Sequence, residues 1–161
     1  MQKVPMTRPG YEKMKEELKQ LKTKDRYQVA REIEIARAHG DLSENAEYDA
    51  AKDKQGHIEA KIRDLEAKLG GAEVINPEDI DSDKVVFSAT VDLEDLDTGE
   101  ELRFQIVGHD ESDAKKGKIS IHAPIARALI GKEVQDEVTV KTPGGIKNYE
   151  ILSIQYLAII D

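Results

Sequence analysis

From Tyr11 to Ala38 the chain contains neither Gly nor Pro and is rich in Glu, Lys, Gln, Arg and Ala. Those residues give up little on entering a helix, whereas Gly and Pro are the two that interrupt one. The stretch therefore predicts one long helix, opened by Pro9 and Gly10 and closed by Gly40, where a left-handed residue is expected. Tyr11, Met14, Leu18 and Leu21 form an apolar stripe at three- and four-residue steps, which resumes at Val29, Ile33 and Ala36 after a register shift near Asp25. A second stretch, Glu44 to Leu69, repeats the pattern through Ala51, Gln55, Ile58, Ile62, Leu65 and Leu69 and ends at Gly70 and Gly71. The connection between the two seams is short, so the helices must turn back on each other as an antiparallel coiled-coil hairpin. At ~1.5 Å per residue each arm is roughly 40 Å long, which puts the connection at a tip. Asp25 and Gln55 interrupt the seams with polar groups; they either loosen packing in mid-arm or fix its register.

After Gly71 the period changes. Ala72 to Ile75, Val85 to Val91, Glu101 to Val107, Lys118 to Ile121, Glu137 to Lys141 and Tyr149 to Tyr156 are short, β-branched, partly alternating runs that read as strands of one sheet. Asp97-Thr98-Gly99-Glu100 and Pro143-Gly144-Gly145 supply turn chemistry between neighbouring runs. Pro124 to Ile130, closed by Gly131, is the one helix expected there, and Asp79 to Lys84 and Asp110 to Gly117 read as polar loops. The fold class is thus α+β in two domains: residues 1–75 a helical hairpin with an acidic tip at 40–48, residues 76–161 a small, mostly antiparallel sheet domain with one helix.

Composition narrows the function classes. The absence of cysteine excludes a disulfide framework, a thiolate metal site and a thiol nucleophile, and fits a reducing, cytoplasmic compartment. No stretch approaches the roughly 20 apolar residues of a membrane span. The net charge of −9 argues against a generic nucleic-acid binder, so any nucleic-acid role must be local. His57, His109 and His122 lack metal-ligand spacing, and Ser43 has no His partner to make it a nucleophile.

The charge in the connection is the oddest feature of the chain. Asp41, Glu44 and Glu47 step by three, a cluster of hard oxygen ligands at the start of helix two. Asp41 followed by Glu44 also matches a capping box, and acids suit a positive helix terminus. Ser43 is itself a good cap and would release both acids from that duty. Two carboxylates alone make only a half-site for Mg²⁺, so a partner would have to supply the rest. Asn45 reads either as a contact to RNA or to an ion's water shell, or as simple solvation of a helix start. Tyr48 reads either as a stacking platform or as a packed end residue. His39 reads as a neutral exposed turn residue and Glu47 as an exposed acid.

The run G-D-L-S-E-N-A-E-Y at 40–48, between the two helical arms, closely resembles the tip of the bacterial transcript cleavage factors of the GreA/GreB family. The resemblance continues in PMTRPGYEKMKEEL at 5–18 and IHAPIARALIGKEVQDEVTVKTPGG at 121–145, and so covers nearly the whole chain. It implies a coiled-coil hairpin followed by an FKBP-like domain that docks on RNA polymerase, while the hairpin enters the secondary channel. It implies that Asp41 and Glu44 help hold a second Mg²⁺ shared with the polymerase active site, promoting hydrolysis of backtracked RNA. Arg37 and Lys52, with Arg31 and Lys54 as weaker candidates, resemble the family's basic patch facing the RNA 3′ end. The resemblance also implies that Ser120 to Ile125 falls at a sheet-to-helix junction near the polymerase-docking surface, with its apolar residues mainly in the core. A cytoplasmic, DNA-associated, monomeric transcription factor is implied, not an enzyme in its own right. Two other readings compete: a homologue that enters the channel without catalysis, against which the intact Asp41 and Glu44 count, and a holdase or dimerisation arm on an FKBP-like domain. An aromatic content of 4% leaves little for an isomerase pocket.

Overall fold

The computed structural model describes residues 3–40 and 45–159. The chain divides into two compact units, Tyr11–Ala72 forming one and Lys3–Gly10 with Glu73–Asp161 the other. Among the described residues, no helix is long and apolar enough to cross a membrane.

In the helical unit, α1 (Arg8–Gln20), a π-turn (Leu21–Asp25) and α2 (Arg26–Arg37) follow one another without a break. The π-turn sits where the stripe changes register. The step from Leu21 to Val29 is one residue longer than two turns of a seam, and the turn absorbs the surplus by bonding the Arg26 N–H to the Leu21 carbonyl. The Thr23 hydroxyl donates to the Lys19 carbonyl at 2.7 Å, occupying an acceptor that the wider turn displaces. Both seams then face the same partner.

That partner is α3 (Ala46–Gly70), which runs antiparallel to α2: Arg26 meets Glu59, Glu32 meets Lys54 and His39 meets Glu47. Val29, Ile58 and Ile62 form the centre of the interface with Leu18 and Leu21 packed against them, and Ile33, Ala36, Ala51 and Leu65 are also buried. Each well-buried aliphatic side chain contributes about 1.5–3 kcal/mol, so the seam dominates the stability of the unit. Arg26 grips Glu59 through two bonds of 2.9 and 3.0 Å immediately after the π-turn, and their mutual hydrogen bonding holds the Glu59 carboxyl below its usual range and raises the Arg26 guanidinium. Being exposed, that pair sets register more than stability. Asp25 and Gln55, the polar interruptions, are half-buried.

In the second unit, β1 (Val4–Thr7) pairs with β2 (Ala72–Ile75) as a separate two-stranded sheet. The expected strand at Ala72–Ile75 therefore exists, but it does not join the main sheet, and β1 was not expected at all. Pro5 explains the omission, because proline cannot donate to a ladder and reads as a non-strand residue. Glu111 ties β1 down: its carboxylate accepts from the Thr7 N–H at 3.0 Å, from the Thr7 hydroxyl, and from the Gly108 N–H at 2.9 Å.

The main sheet has the order β5 (Lys118–Ser120), β4 (Glu101–Val107), β3 (Thr90–Asp95), β7 (Gly145–Gln155), β6 (Glu137–Thr142). Three neighbouring pairs are antiparallel and β4–β5 is parallel, which makes the sheet mixed. The 3₁₀ turns at His109–Glu111 and Ala114–Lys116, within the segment read as a polar loop, carry the chain back so that β5 starts beside Gln105 and runs alongside β4. The run Val85 to Val91 becomes strand only from Thr90. Ser88 has φ +76°, which turns the chain, while Val85, Phe87 and Ala89 are apolar because they fill the core. Helix α4 (Pro124–Leu129) packs Ala126 and Leu129 into the same core, and Gly131 follows it as expected. The β3–β4 turn closes around buried Asp95, whose carboxylate accepts the N–H groups of Asp97 and Thr98 at 2.9 and 3.2 Å.

Candidate functional site

Asp41, Glu44 and Ser43 lie outside the described residues. The chain on both sides of them is described, and it shows how the hairpin connection is anchored. On the α2 side, the Gly40 N–H donates to the Arg37 carbonyl at 3.2 Å and Gly40 has φ +101°, the left-handed turn that a residue without Cβ makes at little cost.

On the α3 side the anchor is Asn45. Its backbone is extended (φ −91°, ψ 95°), and its side-chain oxygen accepts the Tyr48 N–H at 3.1 Å, which makes it the N-cap of α3. Its amide nitrogen donates to the Ala36 carbonyl at 2.6 Å. One half-buried side chain thus satisfies an orphan donor of one helix and crosses to the last turn of the other. Helix two begins at Ala46 rather than Glu44, with Asn45 as its N-cap; the capping box read at Asp41 and Glu44 and the cap read at Ser43 lie outside the described residues. Both polar atoms of Asn45, read from the sequence either as an RNA contact or as solvation of a helix start, are engaged within the hairpin.

Arg37 is the exposed final residue of α2, two positions before the exposed His39. Tyr48 is half-buried in the first turn of α3, and Lys52, one turn on, shares its face and is exposed, with its ammonium 3.2 Å from the Gln55 side-chain oxygen. Arg31 is exposed, whereas Lys54 is engaged across the hairpin by Glu32 at 3.2 Å. Glu47 is exposed as expected, but its carboxylate lies 3.4 Å from His39 Nδ1, so His39 is not an isolated turn residue. Among the described residues, no group of three or more His, Cys, Asp or Glu is placed to hold a metal, so the metal expectation rests on Asp41 and Glu44.

In the sheet unit, Ser120 ends β5 and Pro124 begins α4, which puts 120–125 at the expected sheet-to-helix junction. The Ser120 hydroxyl accepts the His122 N–H at 3.1 Å, and Ile121 and Ile125 are packed against the core. Sequence reasoning missed two links in the connection: the Asn45–Ala36 bond and the His39–Glu47 contact. Asn45 itself carried a usable signal, being one of the best capping residues.

Comparison with known proteins gives the same two-part organisation. Residues 4–74 match the family model of the N-terminal part of the GreA/GreB transcription elongation factors, and residues 80–156 match the model of their C-terminal part. Over 98% of its length the chain is 55% identical to the transcription elongation factor GreA of Thioalkalivibrio sulfidiphilus and 54% identical to that of Ralstonia nicotianae, and it spans the whole of each. Among solved structures it is similar to a prokaryotic transcription elongation factor GreA/GreB from Nitrosomonas europaea, at 25% identity and a TM-score of 0.43 over 97% of this chain and 100% of that one. The chain belongs to the GreA/GreB family of transcription elongation factors.

Proposed function

We propose that this chain binds RNA polymerase through its second unit, an FKBP-like docking domain, and passes its hairpin as a coiled coil through the secondary channel. There it stimulates the polymerase's own hydrolysis of backtracked nascent RNA and so rescues arrested complexes. The chain is not itself an enzyme: it lends Asp41 and Glu44 to another protein's active site and works as a cytoplasmic monomer.

The observation that carries this reading is the pair of hydrogen bonds made by the Asn45 side chain. Asn45 caps α3 and ties its start to Ala36, so the Tyr48 N–H is met without a carboxylate, which supports reading Asp41 and Glu44 as ligands rather than caps. Carboxylate oxygens are the donors that a hard divalent cation takes, so Asp41 and Glu44 fit a share in a Mg²⁺ site that polymerase carboxylates complete. Bound there, Mg²⁺ supplies activation of the attacking water and stabilisation of the leaving oxygen. Arg37 and Lys52 offer their charges to the phosphates of the RNA 3′ segment, and Tyr48, on the face of Lys52, offers a ring to an extruded base.

The test is a pair of variants, Asp41→Asn and Glu44→Gln, assayed for transcript cleavage and for polymerase binding. Loss of cleavage with binding retained is expected. Cleavage at the wild-type rate in both variants contradicts the proposal. Neutralising Arg37 and Lys52 is expected to weaken engagement of the RNA end, read as a lost crosslink to the 3′ terminus.

A further inference from the structure

The face of the main sheet turned away from the core carries a hollow of about 380 Å³ that the proposed mechanism does not use. Thr90, Arg103 and Gln105, which alternate with core residues along β3 and β4, form its floor, and Lys115, Lys116 and Lys118 rise beside it. Its lining contains four cations and no carboxylate. Arg103 is committed to Asp92 at 2.7 and 3.1 Å, and Asp113, the nearest acid in sequence, spends one carboxylate oxygen on the Lys115 N–H at 3.2 Å. None of the three lysines forms an ion pair with a described residue. In a chain with 33 acidic and 24 basic residues, three unpaired ammonium groups around one hollow are a local inversion of the prevailing charge.

The wall is also held in place. Gly117, at φ +74°, lets the lysine-bearing turn lie directly on β4: a Cβ there would stand 2.9 Å from the Arg103 carbonyl oxygen, and the Gln105 N–H donates to the Gly117 carbonyl at 2.8 Å. Thr90 and Gln105 are almost wholly buried, and the Gln105 amide is fixed by the Leu157 carbonyl at 3.2 Å, so the floor is held rigidly beneath the lysines.

We propose that this hollow binds the sugar–phosphate backbone of a single nucleic-acid strand. Phosphate oxygens match the ammonium wall, and a hollow of this size seats one backbone rather than a duplex. The charge also fits the requirement that nucleic-acid contact in so acidic a chain be local. Neutralising about three phosphates gives a salt slope of roughly −0.7 × 3, or about −2, in log K against log salt.

The probe is a fluorescently labelled oligouridylate, titrated with the full chain and read by anisotropy across a low-salt series. The triple variant Lys115→Gln, Lys116→Gln, Lys118→Gln is expected to bind about tenfold or more weakly at the lowest salt and to lose about 2 from the slope. The corresponding Lys→Arg triple variant is expected to keep both. Charge reversal by Lys116→Glu alone, a single exposed substitution that leaves the turn intact, is expected to weaken binding as well. Unchanged affinity and slope in the glutamine variant overturn the proposal, as does absence of binding by the wild type. If the glutamine variant instead loses capture by polymerase while neither protein binds the oligonucleotide, the occupant is an acidic protein segment and the proposal is wrong. Asp41→Asn leaves this readout untouched, so failure here and failure of the cleavage reading are separate results.

Discussion

Asn45 offers the sharpest test of how the hairpin connection is built. Substitution by Asp preserves the cap in type, because Asp and Asn cap about equally well, and it adds a charge that the positive helix start favours by about 0.3–1 kcal/mol. A residue that only capped would therefore tolerate the change or gain from it. Here the second atom decides: the Asn45 amide donor, 2.6 Å from the Ala36 carbonyl, becomes an oxygen facing an oxygen. The loss of that bond costs about 0.5–1.5 kcal/mol, and leaving two acceptors opposed at a half-buried position costs about 1–3 kcal/mol more. Set against the helix-end gain, Asn45→Asp should destabilise the helical unit by roughly 0.5–4 kcal/mol, with a central value of about 2 kcal/mol. Asn45→Ala, which loses cap and bridge together, should cost about 2 kcal/mol. In a unit of this size that is a fall in Tm of roughly 5–15 °C, read by far-UV circular dichroism near neutral pH. An Asn45→Asp protein that melts at or above the wild type refutes the bridge.

Two further predictions concern the sheet unit. Ser88 is fully buried, its hydroxyl has no partner among the described residues, and its φ is +76°, so Ser88→Gly removes both an unmet polar group and a left-handed side chain. Against the unfolded-state entropy that glycine adds, the net expectation is a gain of about 1 kcal/mol, seen as a higher urea midpoint at unchanged m; a lower midpoint contradicts it. The Asp92 carboxyl is held below its usual range by the Arg103 guanidinium first and the Ser153 hydroxyl second, against the opposing effect of partial burial. Its contribution to stability is therefore complete above the ordinary Asp value of about 4 and is lost as pH falls through the lower folded value. The stability gap between wild type and Asp92→Asn should close on acidification below about pH 4, measured by urea midpoints; a gap independent of pH refutes the assignment.

The helical unit was legible in the chain because its apolar residues keep helical steps over many turns, and even the break near Asp25 appeared as a step one residue too long before it appeared as a π-turn. The cap was not legible. Asp41, Ser43 and Asn45 are all good capping residues, and local chemistry does not rank them; the bond from Asn45 to Ala36 in the other helix does. For the same reason the ion pair of Lys54, a weaker candidate for the basic patch, with Glu32 across the hairpin was not legible.

In the sheet unit, strands with clear turn chemistry at their ends were found close to their true limits, as at Glu101–Val107. Three features escaped. β1 contains a proline, the segment 85–89 is apolar for packing rather than for pairing, and the parallel placement of β5 depends on turns whose direction local sequence does not encode. The candidate site followed the same division: residue types were readable, and engagement with distant partners was not.

The proposed function requires the acidic connection to act inside another protein's catalytic centre. A stalled, backtracked elongation complex, mixed with this chain in the presence and absence of Mg²⁺, tests it most directly. Release of a short RNA from the 3′ end, dependent on both the chain and the ion, is the predicted result. An RNA that stays intact with both present, although the chain is bound to the polymerase, would contradict it.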